Sequence, residues 1–206
     1  MGAGAKPSGP LRSSIDDGAM FGRYSVADPQ ATRHPLVNRV LKLATAILFL
    51  TSVDALADAT EDCNDATNLT QKIRGCTEVI QRTMQSDALS TAYMNRAIAR
   101  AERKEMAKAL ADFTAAIHAD SENNFAYYNR GNVYLDLRKP KQAKADFTRA
   151  LEIAPDMSPA LLNRALANEM LGEREASIAD FRAALALEPT LFAASEGLKR
   201  LGATAP

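Results

Sequence analysis

The chain has 206 residues, which allows one ordinary domain with a tail, and its 25 Lys and Arg balance its 25 Asp and Glu. Proteins that bind nucleic acid through phosphate contacts usually carry a basic excess, so the zero net charge argues against that class. Two cysteines and two histidines are too few for a zinc or iron–sulfur framework, so no cofactor or metal site is expected.

The N-terminal part of the chain has the features of an export signal. Residues 1–35 are predicted to be an unstructured extension, because glycine and proline recur there without an apolar period. Residues 36–57 then combine a basic flank, an apolar run over 43–53 and a small-residue end at Ala57. This order is typical of a secretory signal peptide cleaved after Ala57. The expected location is therefore the bacterial periplasm or the outside of the cell.

The signal-peptide prediction leaves open where translation starts and whether the segment is cleaved. The apolar run is shorter than the roughly 20 residues that cross a bilayer, so no membrane span is expected in the mature chain. The extension before the basic flank is long for a signal peptide, however. Translation starting at Met20, or an uncleaved anchor, would account for that length.

The two cysteines, Cys63 and Cys76, both follow the expected cleavage site. Export would place them in an oxidising compartment, where a disulfide between them is expected. Thirteen residues of continuous helix would separate their Cα atoms by about 20 Å, whereas a disulfide needs less than about 7 Å. The chain must therefore reverse near 65–68 if the bond forms. A redox-active pair is the alternative, although such pairs usually have a C-x-x-C spacing.

Three segments of the chain recur with a period of 34 residues. The first stretch of each segment is marked by Asn95, Asn129 and Asn163, and the second by Phe113, Phe147 and Phe181. Within both stretches, apolar residues follow the spacing of an amphipathic helix. Pro140 separates the two stretches of the middle segment, and Pro155 follows the second one. Each segment is therefore predicted to be a pair of helices.

This pattern resembles the tetratricopeptide repeat, which has a 34-residue period and two antiparallel helices per repeat. The family's marker positions in the middle segment are Tyr127, Gly131, Tyr134, Ala143, Phe147, Ala150 and Pro155. The outer segments depart from the family pattern at Arg100, Ser121, Asn168 and Ser177. The resemblance implies an all-α helix-turn-helix solenoid with full repeats over 90–123, 124–157 and 158–189.

Two flanking regions complete the predicted stack. The leading segment, 58–89, is expected to hold a degenerate repeat whose second helix covers 71–83, with Cys76 where the full repeats carry Phe. The last segment, 190–206, is expected to form a capping helix over 191–201 and a tail. A cap is needed because a terminal repeat would otherwise expose its core. The residues expected to face the last repeat are Leu191, Leu198 and Leu201.

In the family that this chain resembles, the first helix of each repeat lines a concave groove. The resemblance places Asn95, Asn129 and Asn163 on that groove, where their amides would match the backbone of an extended peptide. The alternative is that these amides bond neighbouring helices. The other groove positions carried over are Met94, Ile98, Tyr128, Asn132, Leu162 and Leu166, with Tyr128 expected as the main anchor. No Lys occupies the groove positions with which some relatives bind terminal carboxylates.

A second set of polar residues recurs between the two helices of each repeat. Each arginine precedes an aspartate by 16 residues, in the pairs Arg96 and Asp112, Arg130 and Asp146, and Arg164 and Asp180. Salt bridges within the repeats are expected, of the partly exposed kind that contributes about 0–1 kcal/mol each. The alternative is that the arginines bind an anionic partner.

The predicted function is a non-enzymatic adaptor that is exported and binds a protein or peptide in its groove. No phosphate-binding glycine loop, H-E-x-x-H or G-x-S-x-G motif is present to support an enzyme. The alternative is a structural or assembly subunit that packs through its helical faces. No residue pattern in the chain specifies an oligomeric state.

Overall fold

The computed structural model describes residues 55–204, which form nine helices and no strands. The predicted extension and all but the last three residues of the predicted signal peptide lie outside the described residues. The first helix, α1, covers 55–65. The others are α2 (Leu69–Arg82), α3 (Ser86–Glu102), α4 (Met106–Ala119), α5 (Asn124–Asp136), α6 (Pro140–Ile153), α7 (Ser158–Met170), α8 (Arg174–Leu187) and α9 (Phe192–Arg200). Between residues 55 and 204, no helix has the length and apolarity needed to cross a bilayer.

The helices pack as successive hairpins. Three pairs, α3 with α4, α5 with α6 and α7 with α8, form the full repeats, and each second helix also packs on the first helix of the next pair. The first helices α3, α5, α7 and α9 contact one another in sequence, so they line the same side of the stack. The fold is the all-α tetratricopeptide-repeat solenoid that the resemblance implies.

The turn between the two helices is the same in each full repeat. Its left-handed residue is Lys104, Arg138 or Gly172, with φ of 62°, 56° and 76°. The next backbone N–H then donates to a carbonyl five residues earlier, as from Lys139 to Tyr134 at 2.8 Å. This is the Schellman pattern, which favours glycine because other residues are strained in the left-handed region. Only the last full repeat has a glycine there.

The core of each full repeat is a phenylalanine set against a small residue. Phe113, Phe147 and Phe181 are at most 1% exposed. In the middle repeat, a Cβ added to Gly131 would lie 2.6 Å from the Phe147 ring. The two helices therefore approach as closely as the backbone of Gly131 allows.

The leading pair, α1 and α2, is joined by a disulfide between Cys63 and Cys76, with Cα atoms 4.5 Å apart. The chain reverses at 66–68, and Asn68 caps α2 by accepting hydrogen bonds from the backbone N–H groups of the second and third residues after it. Both cysteines are buried, at 2% and 0% exposure. The predicted second helix is present as α2, and α1 completes the pair.

The last helix, α9, closes the other end of the stack. Leu198 is 1% exposed in the core that it shares with the last full repeat, and Leu191 and Leu201 are half-buried against that core. Lys199 and Arg200 at the end of α9 are exposed. The helix thus covers the last repeat with an apolar side and presents charged residues to solvent, as a cap requires.

Candidate partner-binding groove

The nine predicted groove residues lie on the first helices of the three full repeats. Met94, Asn95 and Ile98 are on α3, Tyr128, Asn129 and Asn132 are on α5, and Leu162, Asn163 and Leu166 are on α7. All nine are half-buried, so each one contacts its neighbours and keeps part of its surface accessible. Together they form one face of the solenoid, called the groove below.

The three repeated asparagines do not stack into a single ladder. Asn95 donates from Nδ2 to Oδ1 of Asn64 at 3.0 Å, and Asn163 donates in the same way to Asn132 at 2.7 Å. Asn129 instead donates to the carbonyl oxygen of Phe125 in its own helix, at 2.9 Å. Two of the three amides therefore bridge neighbouring first helices.

The two bridges are equivalent. Asn64 and Asn132 are 68 residues apart, which is two repeat lengths, and so are their partners Asn95 and Asn163. Each bridge, called an amide pair below, joins the first helix of one repeat to the first helix of the next. Sequence reasoning missed Asn64, because α1 lacks the Asn-Arg pair that marks the first helix of each full repeat.

The apolar members of the groove are fixed to the core beneath them. Met94 and Ile98 pack on the cluster around Phe113, and Leu162 and Leu166 pack on the cluster around Phe181. The ring of Tyr128 lies 6.0 Å from that of Phe147, and its hydroxyl accepts a hydrogen bond from Asn163. The side chains that would contact a partner are thus held in place before it binds.

The repeated 16-residue spacing of arginine and aspartate corresponds to an ion pair inside each full repeat. Arg96 and Arg130 each donate two hydrogen bonds to their aspartates at 2.8–2.9 Å, and Arg164 does so at 2.6 and 2.9 Å. The aspartates are buried, at 4–7% exposure. The hydrogen bonds that Arg130 donates to Asp146 raise the pKa of Arg130 above its ordinary value. The three arginines therefore bind the buried aspartates inside their own repeats.

Of the four positions that depart from the family pattern, two bond the buried aspartates, Ser177 bonds a backbone oxygen, and Ser121 is exposed. Arg100 donates to Asp112 at 2.6 Å, and Asn168 donates to Asp180 at 2.9 Å. Ser177 donates to the carbonyl oxygen of Ala165 at 2.8 Å. The Oδ1 atom of Asn168 is buried and accepts no hydrogen bond from the described residues. Spacing alone did not indicate these roles, because each occurs in one repeat only.

The C-terminal end of the groove is closed by an ion pair. Arg200 of α9 donates to both carboxylate oxygens of Glu169 of α7, at 2.6 and 2.7 Å. These hydrogen bonds lower the pKa of Glu169. The pair links the cap to the last full repeat and neutralises the groove at this end.

The described residues were also compared with the geometry of a metal site. Within 55–204, no group of three or more His, Cys, Asp or Glu side chains is placed to hold a metal ion. What the site offers is a half-buried surface of amides and apolar groups on a solenoid.

Comparison with known proteins identifies the repeats directly. Residues 125–157 and 158–191 each match the family model of the tetratricopeptide repeat. No curated protein matches the chain.

Solved structures with the same fold extend this match. The TPR domain of Arabidopsis OM64 is 34% identical over 56% of this chain and 96% of that domain, with a TM-score of 0.55. The second TPR domain of human RPAP3, solved in complex with the HSP70 peptide SGPTIEEVD, is 26% identical over 57% and 95%, with a TM-score of 0.53. A tetratricopeptide-repeat protein from Parabacteroides merdae is 20% identical over 73% and 59%, with a TM-score of 0.65, and shows the fold alone.

Three observations agree. The helix pairs recur with a 34-residue period, each full repeat buries a phenylalanine, and two segments match the family model. The chain belongs to the tetratricopeptide-repeat family of protein-interaction modules.

Proposed function

We propose that this protein is an exported adaptor that holds an extended peptide or protein segment in its groove. The observation that carries this proposal is the groove itself, in which nine half-buried side chains on α3, α5 and α7 are held by the core. The RPAP3 domain, solved in complex with an HSP70 peptide, supports a peptide as the class of partner.

The chemistry of the groove favours recognition through amides and apolar contacts. None of its nine residues carries a charge. An asparagine side chain offers two donors and one acceptor, which are the groups that an extended peptide backbone needs. Tyr128 adds a large, rigid aromatic surface of the kind that often dominates binding energy.

The binding proposal can be tested with a displayed library of random 12-residue peptides selected on the purified protein. Enriched peptides are then measured by fluorescence anisotropy against the wild type, Tyr128→Ala, Asn163→Ala and the control Gln142→Ala, which changes an exposed residue of α6. We expect both groove variants to weaken binding at least about tenfold and the control to leave it unchanged. Equal binding by all four proteins would overturn the groove as the site.

Export is the second half of the proposal. Two features support it: the apolar run at 43–53, and the Cys63–Cys76 bond, which would persist in an oxidising compartment. The test is the intact mass of the chain recovered from cells that export it, with and without a thiol-blocking reagent. A chain that begins at Asp58 and has no reactive thiol is expected. A full-length mass with two reactive thiols would contradict export.

A structural or assembly role is the competing function. Leu187 and Phe192 favour it, because they are 48% and 73% exposed on either side of the turn between α8 and α9. If self-association through this surface is the function, Phe192→Asp will reduce the particle mass measured by light scattering, whereas Tyr128→Ala will not. A monomeric wild type with Tyr128-dependent peptide binding would favour the adaptor.

A further inference from the structure

A cavity of about 440 Å³ lies beside the first amide pair, between α1 and α3. Its lining is mainly apolar or small and includes Leu56, Thr60, Cys63, Val79, Thr91 and Ala92. Sites for whole small molecules usually occupy about 300–1,000 Å³. This cavity is at the lower end of that range, so it suits a single large side chain better than a drug-sized ligand.

The cavity exists because one residue of a repeated series is small. The equivalent positions Thr60, Met94, Tyr128 and Leu162 follow one another at 34-residue intervals. In the full repeats this position carries a large side chain that packs on the core. In α1 it is an exposed threonine, so no side chain of the described residues fills the space.

Resting on the function proposed above, we propose that this cavity receives a large apolar side chain of the bound segment. The amide pair of Asn64 and Asn95 would hold the main chain of that segment beside it. Asn64 lines the cavity and accepts a hydrogen bond from Asn95. No hydrogen bond within residues 55–204 uses the Nδ2 atom of Asn64 or the Oδ1 atom of Asn95. These atoms offer a donor and an acceptor to one peptide group.

The charges around the cavity define the segment further. Residues 55–65 include four acidic side chains and no basic one. Of these, Asp58, Glu61 and Asp65 are exposed and make no salt bridge with another described residue, whereas Asp62 pairs with Arg74. These four lie on α1 beside the cavity and not in its lining, where the one charged side chain among the described residues is that of Asp87 of α3, which is exposed. Charge complementarity therefore favours a segment with Lys or Arg close to its apolar side chain.

This preference is opposite in sign to that of the related domain. The peptide in complex with the RPAP3 domain, SGPTIEEVD, has three acidic residues in its last four. The present chain offers no lysine at its groove positions and an acidic helix at the N-terminal end of the stack. A cationic, apolar segment thus fits this protein where an acidic one does not.

The test uses the full, oxidised chain and labelled nonapeptides. The probe has a central Phe with a Lys two residues away on each side, and its two controls replace the Phe by Ala or both Lys by Glu. We expect the probe to bind about tenfold or more tightly than either control, because the Ala peptide loses the burial of the Phe ring and the Glu peptide loses the charge complementarity. Binding should weaken with added salt, because the Lys contacts are screened.

A variant that fills the cavity separates this site from the rest of the groove. Thr60→Tyr supplies the residue type that Tyr128 provides in the middle repeat, at an exposed position that can accept it without unfolding. The matched control, Thr70→Tyr, changes an exposed residue of α2. We expect Thr60→Tyr to abolish the preference for Phe over Ala and Thr70→Tyr to retain it.

The outcomes distinguish this inference from the proposed function. Equal binding of the Phe and Ala peptides, or a preference that survives Thr60→Tyr, overturns the cavity as a subsite. If library-selected peptides still depend on Tyr128 in that case, the groove function stands. If the wild type binds neither the probe nor any selected peptide, the proposed function fails as well. Tighter binding of the Glu peptide than of the Lys peptide overturns the assigned charge preference.

Discussion

The leading pair and the middle repeat bring two helices together by different means. In the middle repeat, Phe147 packs against Gly131, sixteen residues earlier. In the leading pair, Cys76 is bonded to Cys63, thirteen residues earlier. Cys63 lies two repeat lengths before Gly131, so it holds the same position on its helix. The same close approach is achieved by aromatic packing in one pair and by a covalent bond in the other.

The shorter connection between α1 and α2 explains why a disulfide stands where the full repeats have a phenylalanine and a small residue. With three residues fewer between the helices, α1 and α2 meet at Gly75, where an added Cβ would lie 2.5 Å from the Cβ of Asp62. This spacing leaves no room for a buried ring or for the buried aspartate that precedes each phenylalanine in the full repeats. Among residues 55–204, the leading pair also has a neighbouring helix pair on one side only, and small cores often depend on disulfides.

The largest effect is expected from removing the aromatic ring of the middle repeat. Phe147→Ala deletes a fully buried side chain that contacts Ala143 in its own repeat and Ala167 in the next. The free energy of unfolding should fall by about 3–5 kcal/mol. Urea unfolding followed by circular dichroism measures this loss. The control is Gln142→Ala, on the exposed side of α6. If Phe147→Ala lowers the free energy of unfolding by less than about 1 kcal/mol, this ring does not hold the repeat together.

A somewhat smaller and more local effect is expected from removing the disulfide. Cys63→Ser combined with Cys76→Ser should cost about 3 kcal/mol, the value for closing a loop of about this length. Because repeats contact only their neighbours, the loss should be confined to the N-terminal end. Hydrogen exchange followed by mass spectrometry should show faster exchange in α1 and α2 and unchanged protection in α7 and α8. Faster exchange throughout the chain would mean that the disulfide stabilises the whole solenoid.

The contrast between these two regions also explains what the sequence could predict. The full repeats were predicted because three copies in register repeat their Asn, Arg, Asp and Phe markers. The disulfide was predicted from the number of cysteines and the expected compartment. The first helix of the leading pair was not, because Glu61 and Asp62 stand where each full repeat carries its Asn-Arg marker. The amide pair formed by Asn64, and the cavity beside Thr60, therefore became visible only in the structure.

Gly131 and Gly75, one from each region, provide a smaller and sharper comparison. Gly131→Ala would place a Cβ 2.6 Å from the Phe147 ring, so the ring must shift, but Ala97 and Ala165 hold the equivalent positions beside Phe113 and Phe181. Because a helical Ala also gains roughly 0.5–1 kcal/mol over Gly, the stability should change by no more than about 1 kcal/mol. Gly75→Ala should cost about 1–3 kcal/mol, since its Cβ would lie 2.8 Å from the backbone oxygen of Ala59. The urea midpoints of the two variants test whether Gly75→Ala is the more destabilising change. Equal losses of stability would show that α1 can move away from α2.

The smallest effect should come from the polar contact between α1 and α2. Hydrogen bonds from Gln71 and then Arg74 lower the pKa of Asp62 below its usual range. A carboxyl group with a lowered pKa in the folded protein contributes stability above its unfolded pKa of about 3.9, and loses it as the pH falls through the lower folded value. Acid should therefore loosen α1 from α2 only below about pH 4.

Asp62→Asn isolates this contribution. The difference in urea midpoint between the wild type and Asp62→Asn should be constant near neutral pH and vanish in acid, because protonation removes the carboxylate that the variant already lacks. Asp65→Asn, at an exposed acid of α1 with no side-chain hydrogen bond among the described residues, should not reproduce this pH dependence. Arg74 is 73% exposed, so the effect should also shrink with added salt. If the two urea midpoints still differ at pH 2, Asp62 stabilises the leading pair through packing and not through the charge of its carboxylate.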